Sequence, residues 1–351
     1  MRDVAVVAFT QAKSVRAERD LNETEILIPV IHDIKRGAGL ETKDIDFVCS
    51  GSSDYLAGQS FAFVSGLDAI GAWPPVSESH VEMDGAWALY EAWVKIQTGH
   101  ADTALVYGFG KPSMGDLSRT LALQLDPYCV VPLWPDAVSV AALQARLCLE
   151  GGVLSEREMA EVAVRDRGKG KSNPYAQVTG DFDVDALLAE PTFVSPLRRH
   201  DCSPISDGAS AMIIAAGDRA RDLAERPAWI RGLEHIVEPQ DLGIRDLTTS
   251  RSTQIAADRA AVGKDKIDVA EVCGPFTHQS ILVERALGLG ESVDVNPSGG
   301  ALSAHPLMAA GLTRIGEASK RIWDGSADRA VAHATSGPCL QQNLVCVLEG
   351  A

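Results

Sequence analysis

Hydrophobic and polar positions alternate along the chain in blocks that predict strands followed by helices. Residues 4–9, VAVVAF, form a continuous apolar run that is typical of a buried strand. Residues 23–40 then repeat apolar side chains at the helical period and end in a glycine-containing segment. The pattern continues with a strand, two helices and a strand at residues 44–53, 61–72, 84–98 and 101–110. This alternation predicts an α/β fold with a mainly parallel sheet.

Residues 111–200 interrupt the alternation. They contain two helical stretches, at 135–150 and 155–167, and the polar segment 165–176. We interpret this region as an insertion, after which residues 195–217 return to the sheet.

Two pairs of similar segments indicate that the second half of the chain repeats the first. The segment TGHADTALVYGFG at 98–110 is similar to DGSADRAVAHATSG at 324–337. The segment DIDFVCSG is similar to KIDVAEVCG, with Asp44, Val48 and Cys49 matching Asp268, Val272 and Cys273 at an offset of 224. We therefore divide the chain into a first half, 1–217, with the insertion at about 111–200, and a second half, 218–351.

Composition restricts the class of protein. The formal net charge of -16 argues against binding to nucleic acid or to an anionic membrane surface. No apolar run approaches the ~20 residues that a membrane span needs. Seven widely spaced cysteines without a CxxC motif predict reduced thiols, with neither a disulfide framework nor a metal site. With no signal peptide evident in MRDVAVVAF, we expect a cytoplasmic protein.

The segment SHVEMDGAWALY at 79–90 predicts a strand and a turn that lead into a helix. Small residues at the start of that helix suit a helix buried between sheets, although neither Cys nor Ser stands at the turn. Ser79 and Glu82 fit a capping box before the helix, and Asp84 is an alternative N-cap.

Three further segments contain candidate catalytic residues. In VNPSGGALSAHPLMAAG, His305 precedes a proline that can start a helix, which predicts a histidine near the N-cap. There it either stabilises an oxygen that gains negative charge or only caps the helix. Asp207, Gly208 and Ala209 read as a turn before a strand. Cys339 follows the strand of His333 and is either a reactive thiol or a small buried residue.

Taken together, these motifs resemble one family. The thiolase superfamily has similar motifs and similarly duplicated halves. The segments that resemble its motifs are HDCSPISDGASA, NPSGGALSAHPLMAAG and ERALGLG. The similarity is greatest to the branch of sterol carrier protein X thiolases and the bacterial lipid-transfer-protein thiolase-like proteins of steroid side-chain breakdown. The resemblance covers essentially the whole chain. It implies the duplicated, five-layered αβαβα thiolase fold, a dimer-forming core and acyl-coenzyme A substrates.

The family's catalytic residues are only partly matched. Aligning the family's Cys-x-x-Gly motif on Gly85 places Glu82 at the position of the nucleophilic cysteine. The family's histidine matches His305, although Ala304 replaces the preceding glycine. No cysteine falls at 334–337, where the family has its second thiol, and Cys339 comes a few residues later. In the loop at 275–279, which departs from the family pattern, His278 is the one titratable group.

Loss of the nucleophile argues against thiolysis, which needs a thiolate. The resemblance implies instead a retro-aldol cleavage of a β-hydroxyacyl-coenzyme A with a steroid or branched side chain. In this reaction His305 would stabilise the thioester enolate, and Glu82, His278 or His333 would be the base. Coenzyme A enters as part of the substrate, with no tightly bound cofactor, and we expect its contacts at Ser298, Gly299, Gly300 and Gly337.

Two other functions stay open. The chain could be a thiolase or acetyl-coenzyme A acyltransferase that uses another residue, or a non-catalytic subunit of a thiolase-like complex. The expected partners are a second copy or a thiolase-like paralogue. The resemblance also implies a small OB-fold, zinc-ribbon protein that binds the acyl chain.

Overall fold

The computed structural model describes residues 2–58 and 60–350. Its strands are β1 (Val4–Gln11), β2 (Phe47–Gly51), β3 (Glu78–Val81), β4 (Thr103–Gly110), β5 (Ile205–Ser206), β6 (Gly208–Ala216), β7 (Ala228–Val237), β8 (Val269–Val272), β9 (Asp294–Val295), β10 (His305–Pro306), β11 (Arg329–Ser336) and β12 (Gln342–Glu349). Its helices are α1 (Glu23–Ala38), α2 (Asp54–Ala57), α3 (Val64–Ile70), α4 (Gly85–Gln97), α5 (Leu117–Leu123), α6 (Ala137–Glu150), α7 (Glu156–Lys169), α8 (Val184–Ala189), α9 (Gly217–Leu223), α10 (Arg251–Arg259), α11 (Thr277–Ala286), α12 (Gly300–Ser303) and α13 (Ala310–Trp323).

Ten strands form two similar half-sheets in the order β3-β2-β4-β6-β1 and β7-β12-β11-β8-β9. The halves meet between β1 and β7, where only two residue pairs are in register. The sheet is mixed rather than mainly parallel as the alternation predicted. β6 and β12 run antiparallel to the strands on both sides of them, because each returns to the sheet after the parallel βαβ part of its half.

Equivalent strands occupy equivalent positions in the two half-sheets, as a duplication predicts. At the start of β4, the Asp46 carboxylate accepts hydrogen bonds from the backbone nitrogens of Asp102 and Thr103. At the start of β11, in the second half, the Asp268 carboxylate accepts hydrogen bonds from the backbone nitrogens of Asp328 and Arg329. The equivalent of Asp268 is therefore Asp46, two residues later than Asp44, which the sequence comparison had matched to it. Short segments with a repeated Ile-Asp pattern allow such a shift.

The elements stack in five layers. Helices α4 and α13 lie in the central layer, and their apolar side chains pack with strand residues from both halves in one core. Helix α1 covers the outer face of the first half-sheet, while α10 and α11 belong to the core on the outer face of the second. Each fully buried Leu or Ile in these cores contributes roughly 1.5–3 kcal/mol.

Close packing of the central helices depends on residues that lack a side chain. A Cβ on Gly51 would lie 2.6 Å from the backbone nitrogen of Gly85, and a Cβ on Gly108 would lie 2.2 Å from the carbonyl oxygen of Met308. Glycine therefore lets the start of α4 approach both strands and the loop before α13.

The N-cap of α4 is Asp84, whose side chain accepts a hydrogen bond of 2.9 Å from the backbone nitrogen of Ala86. The capping box predicted for Ser79 and Glu82 is therefore wrong. Helix α4 begins at Gly85, three residues after Glu82, so Glu82 is not at the N3 position that a capping box needs.

Helices α5 to α8 lie in the region predicted to be an insertion, and α7 packs against α11 and α12 of the second half. The domain boundaries at 217 and 218 remain predictions. No helix in the described ranges is both long and apolar enough to cross a bilayer.

Candidate active site

A cavity of about 200 Å³ lies at the junction of the two halves and the inserted helices. Its wall is mostly apolar, with Leu121 and Leu125 in and just after α5, and Val140 and Ala141 on α6. The polar groups come from other elements, and they include Asp84, Ser203, Gln279, His305, Ser336 and Cys339. A concave, mostly apolar space with a few converging polar groups is the usual form of a small-molecule site.

His305 lines this cavity because its short strand pairs with the segment that contains Ser206. β10 runs parallel to β5, with His305 opposite Ile205. The backbone nitrogen of His305 lies 3.3 Å from the Ser206 hydroxyl. Two of the sequence motifs therefore meet in space at the cavity wall.

His305 does not lie at the helix N-cap that the sequence predicted. Helix α13 begins at Ala310, because a turn closes between Ala309 and Pro306 and Met308 adopts a left-handed φ of 65°. Pro306 belongs to β10 and does not start the helix.

The imidazole of His305 is buried and uncharged at neutral pH. Burial, together with a smaller effect of the positive charge of Arg314, lowers its pKa to about 4. Its Nδ1 atom is buried without a hydrogen-bond partner in the described structure. Because a buried polar atom without a partner is costly, this ring is available to a ligand.

Asp84 lines the cavity from the turn between β3 and α4. One carboxylate oxygen accepts hydrogen bonds from the backbone nitrogens of Ala86 and Leu312, and the other accepts one from Gly311. This residue therefore caps α4 and also binds the first turn of α13. Burial raises its pKa, while these three hydrogen bonds, and to a smaller extent the nearby backbone N–H of Ala310, act in the opposite direction.

Cys339 is the one cysteine among the residues that line the cavity. It adopts a left-handed φ of 53°, and its thiol lies 3.7 Å from the carbonyl oxygen of Val140. Burial raises the pKa of the thiol to about 12, so that it is protonated at neutral pH.

Glu82 lies on the other side of the same turn, outside the cavity lining. Its side chain is 44% exposed, and Oε1 accepts a hydrogen bond of 2.7 Å from the backbone nitrogen of Asp54. The carboxylate therefore binds the N-terminus of α2. Its proposed role as a base stays a prediction.

His278 and His333 are both fully buried, and neither is among the cavity-lining residues. The Nε2 atom of His278 lies 3.3 Å from Oε1 of Gln144, and the same oxygen accepts a hydrogen bond from Gln279, which does line the cavity. The Nε2 atom of His333 lies 2.9 Å from Oδ1 of Asn343. Burial lowers the pKa of His278 to about 3 and that of His333 to about 4.

The residues predicted to contact coenzyme A separate into two places. Gly337 lines the cavity. Ser298, Gly299 and Gly300 form a buried turn behind it, where the Ser298 hydroxyl donates to Glu271 at 2.7 Å. Glycine is required in this turn, because Gly299 and Gly300 have φ angles of 96° and 58°.

Sequence reasoning missed two cavity residues, Asp84 as a site residue and Gln279. The sequence pattern gives Asp84 a capping role only, and nothing local to Gln279 marks it as functional. Their common signal is position, since both follow a strand and lie in the first turn of a helix or just before it.

No family model matches the chain. Curated relatives nonetheless match most of its length. An acetyl-CoA acetyltransferase of Methanothermobacter thermautotrophicus is 27% identical, over 96% of this chain and 97% of the relative. Sterol carrier protein 2 of Gallus gallus is 24% identical over 88% of this chain, which spans 63% of that longer protein.

Solved structures are similar over nearly the whole chain. The structure titled Ltp2-ChsH2(DUF35) aldolase has a TM-score of 0.82 and 18% identity, and the match covers 99% of this chain and 97% of that one. Human mitochondrial 3-ketoacyl-CoA thiolase has a TM-score of 0.76 and 19% identity, covering 100% and 99%. The predicted duplicated, five-layered thiolase fold is confirmed.

Proposed function

We propose, from the premise that the chain belongs to the thiolase superfamily, that it cleaves a carbon–carbon bond in a β-hydroxyacyl-coenzyme A by a retro-aldol reaction. In this reaction the β-hydroxyl loses its proton, the Cα–Cβ bond breaks, and the thioester leaves as an enolate. Products are a ketone or aldehyde and a shorter acyl-coenzyme A.

The observation that supports this function best is the uncharged His305 in an apolar cavity. At neutral pH its ring keeps one N–H to donate and one nitrogen to accept, because its pKa is about 4. An N–H aimed at the thioester oxygen stabilises the negative charge that develops there, and the low-polarity wall strengthens that interaction. The cavity therefore suits an enolate, whether or not a covalent acyl-enzyme forms.

The thiols of the chain support a reaction without a covalent step. The turn before α4 carries Glu82, Met83 and Asp84 where a thiolase has its nucleophile by alignment. Cys339, which does line the cavity, has a pKa of about 12 and would be a weak nucleophile at neutral pH.

Acyl transfer is the second candidate function, because the relative from Methanothermobacter is named an acetyl-CoA acetyltransferase. In this alternative Cys339 would have to carry the acyl group. Binding of coenzyme A would then have to supply the charge or hydrogen bonds that lower the pKa of the thiol.

One pair of assays separates the two functions. The purified chain is incubated with 3-hydroxy-3-methylbutyryl-coenzyme A, and separately with acetoacetyl-coenzyme A plus free coenzyme A. We expect acetone and acetyl-coenzyme A from the first mixture and no coenzyme A-dependent cleavage in the second. Coenzyme A-dependent cleavage together with an acyl adduct on a cysteine would instead establish the acyltransferase.

A variant then tests the role of His305. We expect His305→Gln to lower kcat about 100-fold or more, which is the usual effect of losing one donor to a developing oxyanion. His100→Gln is the matched control, since His100 is exposed in the turn before β4. Equal loss in both variants would contradict the assignment.

A partner protein is part of the proposal. The structure with a TM-score of 0.82 is titled as a pair, Ltp2 with ChsH2(DUF35). We propose that this chain also acts with a second protein that binds the acyl chain, and that the chain itself pairs with a copy or a paralogue. Purification from the native source, with the assay repeated on the complex, tests both points. An inactive chain that becomes active only in the complex would support the subunit alternative.

A further inference from the structure

We propose that Asp84 is the base that removes the proton from the β-hydroxyl of the substrate. This inference rests on the proposed retro-aldol function and assigns the step for which the sequence offered Glu82, His278 and His333.

Position is the first argument for Asp84. Among the residues that the structure describes, three with ionisable side chains line the cavity, and they are Asp84, His305 and Cys339. His305 is needed at the thioester oxygen, and the thiol of Cys339 is held near the carbonyl oxygen of Val140. Asp84 is therefore the one carboxylate in the lining, and a carboxylate is an effective general base.

Hydrogen bonding leaves this carboxylate a free acceptor position. Oδ1 accepts from two backbone nitrogens, those of Ala86 and Leu312, whereas Oδ2 accepts from Gly311 alone. A carboxylate has about four acceptor positions, and three are occupied here. The remaining one on Oδ2 can receive the proton of a bound hydroxyl.

The surrounding backbone holds the group in place. A Cβ on Gly311 would lie 2.6 Å from Oδ1 of Asp84 and 2.5 Å from Cβ of Ala334. Only a residue without a side chain therefore lets the carboxylate reach the first turn of α13. Three fixed donors from two helices also prevent the side chain from rotating away from the cavity, which a catalytic group requires.

Burial supports the same role. It raises the pKa of Asp84, so that the carboxylate is a stronger base than one in water, while the backbone donors keep the charged form accessible. The unpartnered Nδ1 of His305, also buried, is an independent sign that a polar ligand belongs in this cavity.

The step balances without another reactant. Asp84 takes the proton of the β-hydroxyl, the oxygen electrons form the C=O bond of the ketone, and the Cα–Cβ electron pair moves into the enolate. The protonated Asp84 then returns the same proton to Cα of the enolate. Substrate is thereby converted into a ketone and an acyl-coenzyme A, and the enzyme regains its starting form.

Proton return predicts a second reaction that does not depend on the identity of the natural substrate. Run backwards, the last step removes a proton from Cα of a short acyl-coenzyme A. We expect the parent protein to exchange the α-protons of propionyl-coenzyme A in D₂O, measured by mass spectrometry. Cleavage of 3-hydroxy-3-methylbutyryl-coenzyme A is measured in parallel.

Three variants make the test specific. We expect Asp84→Asn, which keeps an oxygen to cap α4, to lower both rates by about 10²- to 10⁴-fold. Asp84→Ala should lose both reactions as well, and added formate should restore part of the exchange rate in a saturable way. Asp183→Ala is the matched control, because Asp183 caps the N-terminus of α8 in the same manner but is exposed.

Each outcome decides the question. Loss in Asp84→Asn with rescue of Asp84→Ala by formate supports the base. If Asp84→Asn retains full exchange, or if folded Asp84→Ala is inactive and formate restores nothing, Asp84 is only a cap and the inference is wrong. Loss in Glu82→Gln with none in Asp84→Asn would assign the base to Glu82. If the parent neither exchanges nor cleaves, either alone or in the complex purified from the native source, the proposed function itself fails.

Discussion

The Oδ2 atom of Asp84 lies 3.0 Å from the backbone nitrogen of Gly311, although the two residues are 227 positions apart. The contact joins the N-termini of the two central helices, one from each half of the duplicated fold. Both helix ends direct their unpaired N–H groups and partial positive charge at the same carboxylate. One side chain therefore fixes how α4 and α13 meet beside the cavity.

Gly311→Ala should break this junction. The new Cβ would lie 2.5 Å from Cβ of Ala334 and 2.6 Å from Oδ1 of Asp84, so the neighbours must move. We expect a loss of about 1–3 kcal/mol in the free energy of unfolding, as for other overpacked cores. Urea unfolding measures it.

Gly37→Ala is the control for that substitution. Gly37 lies in α1, and a Cβ there would meet nothing within 4 Å. Its stability should stay equal or rise by up to ~1 kcal/mol, because alanine is the better helix former. Equal stability of both variants would mean that the central helices can separate without cost.

Cys339 should be slow to react and dispensable for cleavage. A thiol with a pKa of about 12 is almost wholly protonated at neutral pH, and alkylating reagents attack the thiolate. Iodoacetamide should therefore label the exposed Cys129 well before Cys339, which peptide mapping shows. Cys339→Ser should keep most of the cleavage rate, with Cys129→Ser as its control. Rapid labelling of Cys339 that acyl-coenzyme A blocks would contradict this expectation.

His333 should make the protein less stable in acid. Its pKa is about 4 in the folded protein against an ordinary value of 6.5, because burial disfavours the charged ring. As the pH falls, the unfolded chain therefore binds the proton at a higher pH than the folded protein does. The stabilising effect of the neutral ring is complete above about pH 6.5 and is lost as the pH falls towards 4, on the order of 3 kcal/mol in total.

The measurement compares variants, because buried carboxylates such as Asp166 and Glu271 titrate with the opposite sign. Urea unfolding at pH 7, 6 and 5 should show a weaker pH dependence for His333→Gln than for the parent. His100→Gln, at an exposed position, should behave like the parent. An unchanged slope in His333→Gln would show that the folded protein accommodates the charged ring.

The volume of the cavity should limit the acyl group. At about 200 Å³ it is smaller than the roughly 300–1,000 Å³ of drug-sized sites, so a short or branched group fits inside it. Ala141→Leu adds three carbons to the α6 wall. We expect kcat/KM for a branched β-hydroxyacyl-coenzyme A to fall about 10-fold or more relative to a shorter one.

Leu143→Ala is the control for the cavity variant, since Leu143 lies on α6 with its side chain exposed. Its substrate preference should match that of the parent. If Ala141→Leu also leaves the preference unchanged, the acyl group binds elsewhere.

Much of the fold follows from local patterns. The apolar runs and helical periods predicted β1, α1, α4, α6 and α7 to within a few residues of their bounds. These elements are long and strongly periodic, so burial of their apolar faces determines them. The strand directions could not be predicted in the same way, because β6 pairs with β1 and β4, and β12 with β7, across long connections.

The site was harder to predict, because a shift of two residues changes which side chain faces the cavity. Aligning the family motif selected Glu82, whereas the side chain that lines the cavity is Asp84. No local pattern distinguishes two acidic residues in one turn. Helix α13, in the second half of the chain, distinguishes them, because its first N–H groups bind the carboxylate of Asp84. His305 was identifiable because the family pattern fixes it together with its proline.

The cavity residues come from segments that are far apart in the order of synthesis. Asp84 leaves the ribosome early, whereas His305 follows some two hundred residues later, when its strand can pair with β5. A chain synthesised as far as residue 304 has the carboxylate but not the imidazole. If His305 and Asp84 act as proposed, a growing chain therefore gains its activity only when its second half has closed over the first.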